Sequence, residues 1–302
     1  MEKKTVIITG ITGFVGSALC LHLKKEGYSV IGLGRKETLH LGVPVFSYQQ
    51  LRSPEFLKWF KGCTSIVHLS GAGIGDEKWS LKRIKVLTDS RVDPLVQLKE
   101  LAMEIKHTAF SIISASGVGY YDGNMGVQNE SSPSGTGVLV DICVAWEKAA
   151  LSFQEIGVPV HIIRTSVVLG KGGILSKLDK MARWGILSPL GSGQQPFPWV
   201  ALDDLVYMYA ATIKKGKDPI INAVSPSQDT NKTFTKAFLQ KYGKRMWFPK
   251  VPAWVLKLRF GQMSTLLLQG TAVKSNCLDD FPFENTTLAS YFVNTKNSDW
   301  PF

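Results

Sequence analysis

Short apolar runs alternate with helix-length amphipathic segments through the first 165 residues. Apolar and β-branched runs predict strands at Thr5–Thr9, Ser29–Leu33, Val43–Phe46, Ser65–Ser70, Ala109–Ser114 and Val160–Arg164. Between them, apolar positions at helical spacing predict helices over Val15–Lys25, Glu55–Phe60, Leu81–Ile105 and Val138–Glu155. Gly27 stands where a C-terminal glycine would stop the first helix before the second strand. Such alternation predicts an α/β fold with a doubly wound parallel sheet. After Thr165 the pattern loosens, and glycine and proline gather in Gly170–Gly173 and Pro189–Pro198. A helix over Asp203–Lys214, a strand at Ile220–Ala223 and a helix over Thr233–Tyr242 are expected there. Leu266–Leu268 and Phe281–Phe283 belong to a compact C-terminal segment.

The first strand runs into Thr9-Gly10-Ile11-Thr12-Gly13-Phe14-Val15-Gly16, and a helix leaves it. Glycines in such a turn let the backbone bend and approach a pyrophosphate, while the helix N-terminus offers free N–H groups and partial positive charge. A glycine triplet alone is weak, but strand, turn and helix in this order make it a Rossmann-type dinucleotide site. Gly10, Thr12, Gly13, Phe14, Val15 and Gly16 are therefore cofactor-binding candidates. A carboxylate about 20 residues further on would suit an NAD ribose. That neighbourhood reads Gly34-Arg35-Lys36, with Glu37 only afterwards. Arg35 and Lys36 favour a 2′-phosphate, hence NADP(H); the plainer alternative is surface charge at a strand end.

Composition changes the picture little. Of 302 residues 44% are hydrophobic and 20% charged, as in a globular enzyme rather than a disordered chain. The formal net charge of +11 suits phosphorylated ligands, but no run of five or more cations occurs, which fits a solvated basic surface and no nucleic-acid partner. Cys20, Cys63, Cys143 and Cys277 lie far apart without paired spacing, and the five histidines form no metal motif. No metal is expected, and the free thiols fit a cytoplasmic setting. No stretch approaches a membrane span, and no membrane partner is expected. Asp203 and Asp204, at the start of an apolar helix, read as N-terminal caps.

Longer motifs carry a family resemblance. The turn Gly10, Gly13, Gly16 resembles that of extended short-chain dehydrogenases/reductases, relatives of nucleotide-sugar epimerases. Leu69-Ser70-Gly71-Ala72-Gly73-Ile74-Gly75 with Trp79 and Asp89-Ser90-Arg91-Val92 resembles an NAD(P)-binding epimerase-family branch, sometimes labelled cell-division-inhibitor-like. Ser114-Ala115-Ser116-Gly117-Val118-Gly119-Tyr120-Tyr121, Cys143-x-x-Trp146-Glu147, Arg164-Thr165-x-Val167-Val168-Leu169-Gly170 and Gln195-x-x-x-Trp199 continue the match. Gly261-Gln262-Met263-Ser264-x-Leu266-Leu267-Leu268-x-Gly270 resembles the branch's short C-terminal domain of unknown function. The resemblance implies a dinucleotide-binding region over 1–165, with contributions from later segments, and a substrate-side region over 166–302. The short C-terminal domain falls at about 247–295 within the latter. Further cofactor contacts are implied at Leu69, Ser70, Gly71, Ala72 and Arg164, and a homodimer through the helices over Leu81–Ile105 and Val138–Glu155.

The superfamily's catalytic set is Ser/Thr, Tyr and Lys. Ser116 matches the serine, but Leu139 stands at the tyrosine position and Cys143 at the lysine position. Tyr120 or Tyr121, close after Ser116, is the remaining candidate for proton transfer, and both are also readable as packing. The residue implied after Trp199 is a histidine, whereas Val200, Ala201 and Leu202 follow here. The leading expectation is an NADP(H)-dependent oxidoreductase or epimerase-like enzyme acting on a small, phosphorylated or nucleotide-linked substrate. Its rival is a non-catalytic NADP(H)-binding sensor or scaffold.

Overall fold

The computed structural model describes residues 4–123, 125–277 and 281–295. An eight-stranded sheet organises the chain. In sequence order its strands are β1 (Thr5–Thr9), β2 (Ser29–Gly34), β3 (Thr38–His40), β4 (Val43–Ser47), β5 (Cys63–His68), β6 (Ser111–Gly117), β7 (Val160–Thr165) and, after the small pair β8 (Val167–Leu169) and β9 (Trp199–Ala201), β10 (Ile220–Ala223). Their spatial order is β10-β7-β6-β5-β1-β2-β4-β3. All neighbours run parallel except the short edge strand β3, which pairs antiparallel with β4. Strand order reverses beside β1, the position where doubly wound sheets open a ligand crevice beyond the strands' carboxyl ends.

Parallel strands are covered on both faces and so read as continuous apolar runs. All five residues of β1 are buried accordingly. Helices α1 (Phe14–Lys25) and α6 (Leu202–Lys215) pack against each other on one face. α3 (Leu81–Glu104) and α4 (Val138–Leu151) pair on the other, and α2 (Pro54–Lys61) joins β4 to β5. β10 and α6 lie beyond residue 165 in sequence yet complete the first sheet and its cover.

A second apolar centre draws on later parts of the chain. Leu169, Trp199, Phe234, Phe238, Tyr291 and Phe292 are buried there. They come from the β8–β9 pair, α7 (Asn231–Lys241) and α10 (Leu288–Asn294), with α5 (Ile174–Arg183) packed beside them. Phe197 stacks on Phe234 with ring centroids 4.2 Å apart. The expected element at Leu266–Leu268 is a short helix, α9 (Thr265–Leu268), preceded by α8 (Ala253–Phe260), which the hydrophobic pattern did not announce. Phe281 and Phe283 lie outside any regular element and pack on the main core.

Candidate functional site

The glycine turn bridges β1 and α1. Gly10 has φ of +69°, and a Cβ there would stand 2.7 Å from the Leu69 carbonyl oxygen, so neither conformation nor space admits a side chain. A Cβ on Gly16 would overlap the Gly10 carbonyl, which itself accepts the Gly13 N–H at 2.9 Å. α1 then starts at Phe14 with Gly13 as its N-cap: no side chain caps it, and no acid stands in its first turn. Its N-terminal N–H groups are therefore left for an outside acceptor. Thr12 and Gly13 are exposed, whereas the Phe14 ring lies against Gly170, Gly172 and Gly173.

The carboxyl end of β5 is tied to the same turn through one hydroxyl. Thr9 Oγ1 accepts the Leu69 and Ser70 N–H groups, each at 3.2 Å. His68 Nε2 lies 2.9 Å from the Arg91 carbonyl, which can only accept, so Nε2 carries the proton and Nδ1 accepts from the Thr9 hydroxyl at 2.8 Å. Complete burial pushes the His68 pKa down to about 3, which keeps the ring neutral. Ser70 continues the chain to the Tyr48 hydroxyl at 2.8 Å. Burial raises the Tyr48 pKa against the opposing pull of Ser70, Thr9 and the Arg35 charge.

At the carboxyl end of β2, Arg35 and Lys36 are exposed, and among the described residues neither forms an ion pair. Glu37 points elsewhere, accepting from Gln50 Nε2 at 2.8 Å. The loop after β5 rests on Arg91, a buried cation that donates to the Leu87 and Ala72 carbonyls at 2.8 and 3.0 Å and lies 5.0 Å from the Trp146 ring centre. Its Nε has no partner, and burial lowers its pKa to about 10. A Cβ on Gly71 would stand 2.9 Å from the Arg91 guanidinium carbon, so a side chain there would push the guanidinium aside.

Ser116 ends β6 beside a buried ion pair. Its hydroxyl donates to Glu147 Oε1 at 2.7 Å. Arg164 grips both Glu147 oxygens, Nε and Nη2 each at 2.8 Å, with side chains only 3% and 6% exposed. Burial works against the Arg164 charge, but the Glu147 carboxylate outweighs it and raises the pKa. Arg164 Nη1 donates to the Tyr121 hydroxyl at 2.8 Å, and that hydroxyl donates to Asn222 Oδ1 at 2.7 Å. Tyr120 stacks its ring over the same guanidinium, 3.5 Å from Cζ to centroid. The chain continues through Asn222 N–H to Glu130, which also accepts from Ser275 and Asn276.

Leu139 and Cys143, both on α4, face the segment that follows Ser116. A Cβ on Gly119 would overlap Leu139, and the Cys143 thiol lies against Gly117 and Ser116. Burial first and the Glu147 charge second push that thiol up to about 11, so it carries no charge at neutral pH. The candidates thus fall into two groups. Gly10, Thr12, Gly13, Phe14, Val15, Gly16, Arg35, Lys36, Leu69, Ser70, Gly71 and Ala72 converge on the carboxyl ends of β1, β2 and β5. Ser116, Tyr121 and Arg164 belong to one hydrogen-bonded network beyond β6, in which Tyr120 takes part only by stacking. The caps read at Asp203 and Asp204 need correction. Asp204 accepts the N–H groups of Glu284 and Asn285 at 2.9 and 3.3 Å, and so fastens the C-terminal segment to α6 rather than capping the helix. Tyr48, His68 and Glu130 escaped sequence reasoning, because each acts through partners distant in the chain.

A family model described as NAD dependent epimerase/dehydratase matches residues 6–223. The chain belongs to this epimerase/dehydratase family. Within it, the epimerase family protein SDR39U1 homolog, chloroplastic, of Arabidopsis thaliana is 32% identical over 283 residues, covering 90% of this chain and 80% of that protein. The Mus musculus epimerase family protein SDR39U1 is 30% identical over 278 residues, 89% of this chain and 90% of that one. A crystal structure of the human SDR39U1 (isoform 2) with NADPH shares the epimerase-family fold at a TM-score of 0.85, with 24% identity over 97% of this chain and 99% of that one. A nucleoside-diphosphate sugar epimerase from Corynebacterium glutamicum aligns at a TM-score of 0.75 and 29% identity, covering 98% of this chain and 58% of that longer one.

Proposed function

We propose that this epimerase-family chain binds NADP(H) at the carboxyl edge of β1, β2 and β5 and uses it in hydride transfer on a small, phosphorylated or nucleotide-linked molecule. The observation that carries the proposal is the pairing of an uncapped α1 N-terminus with two uncompensated cations, Arg35 and Lys36, while Glu37 is held by Gln50. The residues fit a phosphorylated dinucleotide. First-turn N–H groups and the helix field favour a pyrophosphate, Gly10 and Gly16 leave the backbone bare, and Arg35 and Lys36 suit a 2′-phosphate. Bound there, the nicotinamide supplies or accepts a hydride.

What this chain contributes to proton handling differs from the superfamily pattern. Ser116 donates its only proton to Glu147, and Tyr121 donates its own to Asn222. Leu139 holds no proton to exchange, and Cys143 holds its proton tightly. Tyr120, half-buried with its ring stacked on Arg164, is the remaining candidate hydroxyl beside this network. This closed network also favours the second reading, an NADP(H)-binding sensor without turnover.

The two readings separate in an NADPH-oxidation screen over phosphorylated and nucleotide-linked carbonyl compounds. The enzyme reading expects turnover that Tyr120→Phe lowers at least about tenfold in kcat with cofactor affinity retained. Tight NADPH binding with no turnover across the screen favours the sensor reading over the enzyme, and absence of NADPH binding refutes both.

A further inference from the structure

The surplus of cations has a place in the fold. From Thr230 to Cys277 the chain contains no Asp or Glu, yet it carries nine lysines and arginines against a net charge of +11 for the whole molecule. Among the described residues none of the nine forms an ion pair. The same stretch exposes large apolar side chains: Trp247 is 78% exposed, Trp254 68% and Leu258 78%. Trp254 and Leu258 stand one turn apart on α8, so they share a face, while Leu256 between them points inward and is buried. Lys250, Lys257 and Arg259 are exposed around that face.

A second strip extends the patch. The stretch from Gly185 to Gly191 runs alongside the stretch from Lys244 to Val251: Gly185 lies against the Lys244 side chain, and Gly191 donates its N–H to the Val251 carbonyl at 2.8 Å. This sets the segment carrying Trp184, 74% exposed, and the exposed Ile186 beside the segment carrying the exposed Trp247 and Phe248. Burying such side chains is the ordinary outcome of folding, and large apolar side chains left exposed among cations suit a docking surface.

We propose that this face docks on an anionic phospholipid surface. Trp254, Leu258 and Trp247 enter the headgroup region, and Lys250, Lys257 and Arg259 lie against the lipid phosphates. Tryptophan rings favour that boundary, long basic side chains reach across it, and a carboxylate-free stretch meets no repulsion there. No helix among the described residues is long and apolar enough to cross a membrane, so the contact is peripheral. A second copy fits less well, because a two-fold interface would set the nine cations against themselves. Nucleic acid fits less well too, because Leu258 and Ile186 offer bases no stacking plane.

The test uses the full chain and vesicles of phosphatidylcholine with or without phosphatidylglycerol, read by co-sedimentation and tryptophan emission. Binding is expected on the anionic vesicles alone, with a blue-shifted emission and weakening as salt rises. Joint substitution Trp254→Ser with Leu258→Ser, and separately Lys250→Glu with Lys257→Glu, should each lower partitioning at least about tenfold. Thermal unfolding is the control that both variants fold. No binding, equal binding to neutral vesicles, or variants that fold and still bind at full strength overturns the proposal. It is equally overturned if these substitutions instead dissolve a dimer, or abolish binding to single-stranded RNA while vesicle binding stays absent.

Discussion

Replacing Glu147 by Gln tests the ion pair that fastens β6, β7 and α4 together. The substitution preserves shape and removes charge. Arg164 would keep its Tyr121 contact, but the amide offers one acceptor oxygen where two carboxylate oxygens now take Nε and Nη2 at 2.8 Å and Ser116 at 2.7 Å. The amide nitrogen, a donor, would face the Arg164 or Ser116 donors. With both side chains at 6% exposure or less, water cannot replace the lost partner, and an uncompensated buried cation costs about 3–5 kcal/mol. That is a large part of the roughly 5–15 kcal/mol that holds a domain folded. Equilibrium urea unfolding, followed by circular dichroism and tryptophan emission, measures the difference. The surface pair Lys99–Glu155 provides the contrast: Glu155 is 72% exposed, and Glu155→Gln should change stability by about 1 kcal/mol or less. The reasoning fails if Glu147→Gln lies within about 1 kcal/mol of the parent, or if the two substitutions cost the same.

Two further outcomes follow from the turn and its neighbours. His68 has a folded pKa of about 3, below its unfolded value near 6.5, so the folded state binds fewer protons. Its contribution is present above pH 6.5 and lost as pH falls toward 3; His68→Gln should flatten that stability profile, and parallel profiles would contradict the assignment. Gly10→Ala combines a left-handed φ of +69° with a collision at Leu69, whereas Gly27→Ala meets nothing within 4 Å at φ +86°. Strain alone costs about 1–2 kcal/mol, so urea unfolding should show Gly10→Ala clearly the more damaging of the two, and equal losses would refute the close-approach argument.

Local pattern made the central strands legible. Val6–Ile8, Val30–Leu33 and Ile112–Ile113 are buried on both faces because helices cover both, and they read as strands without tertiary knowledge. β3 did not, since Thr38 and Leu39 are exposed on an edge where no apolar run is required. β8 and β9 are three residues each, and their partners lie across the chain. α5 carries apolar residues at helical spacing (Ile174, Leu175, Leu178, Met181 and Ala182), but the glycine cluster before it makes the region read as loop. The glycine turn was legible because its chemistry is backbone chemistry. The Ser116 environment was not: Glu147 and Arg164 sit on different elements, and only folding reveals that the serine hydroxyl already has an acceptor. The absence of long cationic runs did not point to residues 230–277, because a stretch without carboxylates can be basic without any run.

Cofactor choice is the claim on which the functional account rests, and titration of NADPH and NADH by fluorescence measures it directly. Arg35 and Lys36, exposed at the end of β2 and without an ion pair among the described residues, should make NADPH bind at least about tenfold more tightly, roughly 1.4 kcal/mol. Arg35→Asp should erase that preference while leaving NADH affinity within a few-fold of the parent. Equal affinities in the parent protein, or a preference for NADPH that survives Arg35→Asp unchanged, would contradict the account.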